Sequence, residues 1–366
     1  MLTACSLLLS LLWLVSFGAC PAGAADNAAT HPIYATYQFD TSGKTIHFGV
    51  QPLAAPEGLI AAVMQRDPIL RDRLRVLGLT LKFYPFQNGA DANYFMRRGD
   101  IHIAMASGSS TLVGAAVSDI SILARAKDGA SSVVARKKIN SLKDLKGKRV
   151  AYSTGSTAHI DLLMSLSALN LNAHEVILVP MEASQFIAAL TNGQIDAFSA
   201  WEPTPSIARA ESPILTTVLK VLNSGYLYAN RSLLEHHPAA VDQILASYVR
   251  AIRWLWLHDK NLTRGAEWWI QEANAFLQKQ IVVNPEVIKK IAFYEVLRFG
   301  DPVLPASDFA EHGYLHKRLQ LLQAHGMIDP AVSWVKIRES LNSRALKKIL
   351  DSPNKFRLNI FAYETR

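Results

Sequence analysis

One short unit occurs twice in this chain. Arg98-Gly99-Asp100-Ile101-His102-Ile103-Ala104-Met105-Ala106-Ser107 and Asn192-Gly193-Gln194-Ile195-Asp196-Ala197-Phe198-Ser199-Ala200-Trp201 each read as a helix stop, a strand and a polar turn. What stands before each copy also has a counterpart. The strand Thr45 to Val50 with its Gln51-Pro52 turn parallels Arg149 to Ser153 with its Thr154-Gly155 turn. Such a repeat predicts two similar α/β lobes rather than one long sheet, each a mostly parallel sheet flanked by helices. Ligands of open α/β sheets sit outside the carboxyl ends of the strands. The four ends near Gln51, Ser107, Thr154 and Trp201 are therefore expected to face one shared cleft. A generic α/β rhythm, with no cleft, is the plainer alternative.

The second lobe's opening stretch, Gly147 to Leu163, carries the most chemistry. Val150, Ala151 and Tyr152 make a short apolar strand, Thr154-Gly155-Ser156-Thr157 supply turn and N-cap residues, and Ile160, Leu162, Leu163 and Leu166 continue at helical spacing. Free backbone N–H groups, the positive end of the helix dipole and the hydroxyls together suit a small anion or polar head group. The alternative is an ordinary cap that binds nothing.

A chain of 366 residues has room for about two domains. Residues 1–25 carry no charge, and the apolar run Leu7 to Phe17 has signal-peptide length, too short for a spanning helix. Two processing routes fit: cleavage after Ala24 or Ala25 with soluble export, which is preferred, or lipid anchoring through Cys20. Both cysteines, Cys5 and Cys20, lie in this leader, so disulfides, thiolate nucleophiles and cysteine-zinc sites are excluded from the chain beyond it. The net charge of +8 comes from scattered basic residues with no aromatic-studded stripe, which argues against nucleic acid as a partner. Residues 26–40 read as a flexible polar lead into the fold.

After a strand-like stretch, Tyr226 to Asn230, the chain turns helical. His237-Pro238 and Asn284-Pro285 are helix starts, and Trp254, Trp256, Trp268, Trp269 and Phe276 are expected to pack helices together. Ser340 to Leu350 reads as one helix with no legible site.

Ser141-Leu142-Lys143-Asp144-Leu145-Lys146-Gly147-Lys148-Arg149-Val150-Ala151-Tyr152-Ser153-Thr154-Gly155-Ser156-Thr157-Ala158-His159, followed by Asn192-Gly193-Gln194-Ile195-Asp196-Ala197 and Trp201-Glu202-Pro203, resembles the periplasmic solute-binding proteins of the nitrate, sulfonate and taurine importer group, which shades into binding proteins for thiamine pyrimidine precursors. The resemblance covers residues 44–335. It implies a type II periplasmic-binding-protein fold: residues 44–123 form one lobe, 124–223 the second, and 224–335 return to the first. The two-stranded hinge would cross near Ala124 and Asn223, leaving 336–366 as an extension of unknown role.

Carried over by position, the resemblance implies ligand contacts from Gln51, Pro52, Ser107, Gly108, Ser109, Thr154, Gly155, Ser156, Thr157, Trp201 and Glu202, with His159 packing or capping. Glu202 stands where many sulfonate-type sequences have Asp; a longer acid suits an amine or heterocycle N–H, or else faces a neighbouring Arg or Lys.

The implied activity is non-catalytic: a monomer would close on a small polar or anionic solute and present it to the membrane permease of an ABC importer, or to a sensor, with no cofactor and no metal. An enzyme on this scaffold is the rival. The thiol chemistry of related desulfinases lacks its cysteine here, and Ser107, His102 and Asp196 could supply a hydrolytic triad but lack a nucleophile elbow. His236-His237 abuts a helix-starting proline and lacks metal-site spacing.

Overall fold

The computed structural model describes residues 28–363 apart from 297 and 299, so the expected leader with Cys5, Cys20 and its cleavage sites lies outside the described residues. The described strands are β1 (Thr45–Val50), β2 (Thr80–Pro85), β3 (Ile103–Ser107), β4 (Ile120–Ala135), β5 (Arg149–Tyr152), β6 (Ile177–Pro180), β7 (Ala197–Trp201) and β8 (Thr216–Asn230). Their spatial order is β2-β1-β3-β8-β4-β7-β5-β6. Strand β1 runs parallel to β2 and β3, and β5 runs parallel to β6 and β7. These are the two parallel halves that the repeated unit predicts.

The halves are joined by β4 and β8, which pair antiparallel from Ile120↔Asn230 to Ala135↔Thr216. At about 3.3 Å per residue such strands reach roughly 50 Å, enough to serve both halves. The result is one continuous ladder of eight strands, where the sequence suggests two separate sheets. Ala124 pairs with Leu227, which also pairs with Met105 of β3, so Ala124 still belongs to the first half's ladder. The second half begins where Ser131 pairs with Trp201 of β7.

Both repeated strands start two residues later than the apolar pattern suggests, for the same reason. The amides of Asp100 and Ile101 bond back to Phe95 O, and those of Gln194 and Ile195 bond back to Ala189 O, so each preceding helix end captures the first isoleucine. Ile101 and Ile195 are buried all the same.

Strands covered on both faces should be apolar throughout, and β7 is buried at every position. Phe186, Phe198 and Trp201 pack on one side of the second half, while Val133, Val150, Leu162 and Leu166 pack on the other. In the first half the helix Ala55–Met64 is buried along its whole length, between the sheet and the helices Pro238–Leu257 and Asp259–Leu277. Trp268 and Trp269 are buried there and Trp254 stacks on Trp268, as expected of packing residues, but Trp256 is exposed.

One expectation about the ends is corrected. Residues 28–40 are a packed segment: Tyr34 is buried against Phe86 and Phe95, Tyr37 meets Tyr84, and the Tyr34 hydroxyl donates to Asp91 Oδ2 at 2.7 Å. Aromatic side chains spaced through a polar stretch give it an apolar face that hydropathy averaging hides. The helix read at Ser340 to Leu350 is present as Ser343–Leu350, and a separate helix, Trp334–Ser340, precedes it. Between them Leu341 bridges to Ile122 of β4, and Asn342 caps the second helix through Ala345 N.

Candidate functional site

Five chain segments meet at the junction of the halves, each at or just past the end of a strand. From the first half come Gln51 after β1, Asn88 and Gly89 after β2, and Ser107 and Ser110 after β3; from the second come Ser156 and Thr157 after β5, and Trp201 at the end of β7. Several are helix starts. Asn88 accepts from Ala90 N and Asp91 N, Ser156 accepts from His159 N, and Ser107 is the N-cap of the helix Gly108–Val117. The positive ends of these helices thus converge on one point. Glycine is required at Gly89, where a Cβ would lie 2.7 Å from Cβ of both Ala106 and Ser110.

The space enclosed is about 20 Å³, room for the centre of roughly one water molecule. Three contacts hold the halves together around it. Ser107 and Thr157 share a hydrogen bond between their hydroxyls, Ala55 N donates to Glu202 O at 3.0 Å, and the Arg318 guanidinium pairs with Asp161. Arg318 also donates from Nε to Ser109 Oγ at 2.7 Å.

The floor is charged. Glu57, in the first turn of the Ala55–Met64 helix, lies with Oε1 3.3 Å from Lys127 Nζ of β4, and both side chains are 2% exposed. Burial alone would lower the Lys127 ammonium, but Glu57 and Glu295 outweigh it and hold it above its ordinary value. Glu295, from the helix Pro285–Glu295, is pushed up to about 7 by burial, against the pull of Lys127. Gly225 of β8 lies against this pair: a Cβ there would sit 2.8 Å from Glu57 Oε1 and 2.9 Å from Lys127 Cγ. Asn223 completes the floor, with Nδ2 donating to Ser131 Oγ at 3.2 Å.

Of the residues expected to touch ligand, Gln51, Ser107, Ser156, Thr157 and Trp201 line this cavity. Gln51 is oriented by donating from Nε2 to Met105 O at 2.7 Å. Thr154 lines a neighbouring cavity of about 370 Å³ with His31, Asp91 and Glu182. Gly155 forms the turn with φ +74°. Four others face elsewhere. Pro52 lines a cavity with Val50, Phe83 and Glu272, because the turn after β1 carries it to the outer side. Gly108 packs against Tyr314, and Ser109 is taken by Arg318. Glu202 accepts from Ser206 N and Ser206 Oγ, with Arg209 3.8 Å away, which is the pocket-shaping alternative foreseen for it.

His159 stacks on Tyr152 with ring centroids 4.1 Å apart, and burial lowers it to about 4, as suits a packing residue. The hydrolytic triad is not assembled. His102 accepts from His47 N and Asp196 pairs with Arg149, while Ser107 lies five strand residues, or about 16 Å, beyond His102. Glu57, Lys127, Asn88 and Asn223 were not singled out as ligand contacts from sequence. A lysine inside a buried strand and an acid inside a wholly apolar helix were the available signals. Among the described residues, no group of three or more metal-type ligands exists, and no helix is long and apolar enough to cross a membrane.

Two α/β halves hung on a pair of long strands and closed over a polar cavity define a two-lobed solute-binding-protein fold. Solved structures share it. The periplasmic aliphatic sulphonate binding protein SsuA from Escherichia coli superposes with TM-score 0.63 at 16% identity, over 82% of this chain and 97% of that one. The periplasmic nitrate-binding protein NrtA from Synechocystis PCC 6803 gives 0.62 at 12%, over 86% and 90%. In sequence, the taurine-binding periplasmic protein of Escherichia coli (strain K12) is 28% identical over 183 residues, 48% of this chain and 57% of that protein. The model of the NMT1/THI5 like family matches residues 75–261, just over half the chain. The chain belongs to that family.

Proposed function

We propose that this protein is the extracytoplasmic solute-binding component of an ABC importer, and that it captures a small polar solute with an anionic head, of the sulfonate or nitrate kind, by closing its two lobes. The observation that carries this is the convergence of helix starts from both halves on one polar cavity, with Ser107 and Thr157 meeting across it. Helix N-termini and hydroxyls favour an anionic head, and Trp201 offers an apolar wall. The named functions of the relatives support the same reading, and residues 1–25 as a signal peptide would deliver the chain to the periplasm. The lobes would be 44–126, with 224–335 returning to it, and 131–222, with β4 and β8 bending between Lys127 and Ala130 and between Leu222 and Gly225.

Capture would work by differential affinity: a solute touching both lobes stabilises the closed form, and the permease reads that shape. The test is a thermal-shift and calorimetric screen of the purified protein against nitrate, taurine, alkane and aryl sulfonates and pyrimidine precursors. A rise in melting temperature with one class, and recovery of that compound unchanged, is expected. Chemical turnover of a bound compound, or binding that survives substitution of Ser156 and Trp201 together, would overturn the proposal.

A further inference from the structure

The cavity floor is richer in unmet acceptors than an anion-only site should be. Among the described residues, three that line it each hold a buried polar atom without a hydrogen-bond partner: Glu57 Oε2, Asn223 Oδ1 and Trp201 Nε1. Two are acceptors, and one of those belongs to a carboxylate. Lys127 is the one cation lining the cavity among the described residues, and it is already engaged by Glu57 Oε1. The pair also packs closely against the Gly225 backbone. Nitrate or a plain alkane sulfonate brings only acceptors. Either would leave Glu57 Oε2 and Asn223 Oδ1 buried without a donor, at a cost of about 1–3 kcal/mol each.

We propose that the solute carries an ammonium or comparable cationic N–H group as well as its anionic head, and that Glu57 is the residue that selects it. This rests on the solute-binding reading above. The cationic end lies on Glu57 Oε2 and Asn223 Oδ1, while the anionic end meets the helix starts at Ser107, Ser156 and Thr157 and the Trp201 N–H. Glu57 thus gives the site a preference for a dipolar solute.

The matched probes are taurine and ethanesulfonate, which differ only in the ammonium, titrated calorimetrically into the purified protein and into its Glu57→Gln variant. Taurine should bind at least about 10-fold tighter to the unsubstituted protein, and Glu57→Gln should bring the two within a few-fold by weakening taurine alone. Because a neutral residue 57 strands Lys127, the double variant Glu57→Gln/Lys127→Met is made alongside; it should show the same loss of preference. Equal or tighter binding of ethanesulfonate to the unsubstituted protein overturns this inference and leaves the receptor proposal standing. Preference for taurine that persists in both folded variants also overturns it. Binding of ethanolamine but of neither sulfonate supports Glu57 and refutes the anionic head. Failure of every compound in the wider screen refutes both.

Discussion

Replacing Asp161 by asparagine should loosen the closed form. Asp161 belongs to the helix Thr157–Ala168 of the second half, and Arg318 to the helix Tyr314–Ala324 packed on the first. Their side chains are 0% and 5% exposed. Removing one partner of a buried ion pair costs about 3–5 kcal/mol while the other stays buried. Here the strain has an outlet, since separation of the halves returns Arg318 to water. An asparagine still offers Arg318 a carbonyl acceptor, so the low end applies: about 3 kcal/mol against the closed form alone, or roughly 10²-fold in the closed-to-open ratio. Small-angle X-ray scattering without solute should then report a larger radius of gyration for Asp161→Asn, and saturating solute should restore it. Solute affinity should fall by a similar factor at most, and the urea midpoint should move less than 3 kcal/mol implies. An unchanged radius together with an unchanged affinity would show that the pair does not restrain opening. Full loss of stability with the compact radius retained would show that the halves do not part there.

Gly225→Ala should destabilise the fold by about 1–3 kcal/mol in urea, since its Cβ would press on Glu57 and Lys127; a loss under about 0.5 kcal/mol would mean that the floor is softer than described. Trp201→Ala should remove most of any solute-induced change in intrinsic fluorescence, and a full response in the variant would take Trp201 out of the site. For Glu295, raised to about 7 from 4.5, the folded form binds the extra proton between those values, so its contribution to stability is present below 4.5 and is lost as pH rises through 7. Relative to the unsubstituted protein, Glu295→Gln should therefore gain stability from pH 5 to pH 8, by at most about 3 kcal/mol. His102 and His159, lowered to about 4 mainly by burial, slope the other way in acid but are common to both proteins and cancel in the difference. A flat difference would refute the role given to Glu295.

Much of the site is legible along the chain because caps and turns are local. Ser156 announces itself by residue type ahead of a helix, and Gln51, Ser107 and Trp201 end apolar runs. Ser109 shows the limit: its neighbours mark it as a turn hydroxyl, yet Arg318, more than two hundred residues away, takes it. Residues 28–40 show another, since only the ring-on-ring contacts of Tyr34, Tyr37 and Phe39 reveal that the segment is packed.

By itself, then, the amino-acid order determined that there would be two α/β halves and that their strand ends would carry capped turns, because periodicity and capping need only neighbours. The charge of the cavity was decided by tertiary structure. It depends on β4 and β8 pairing in the register that sets Lys127 opposite Gly225, where no side chain intervenes and Glu57 can reach the ammonium. A slip of one residue would turn Lys127 to the other face of the sheet, and the pair on the floor of the cleft would not exist.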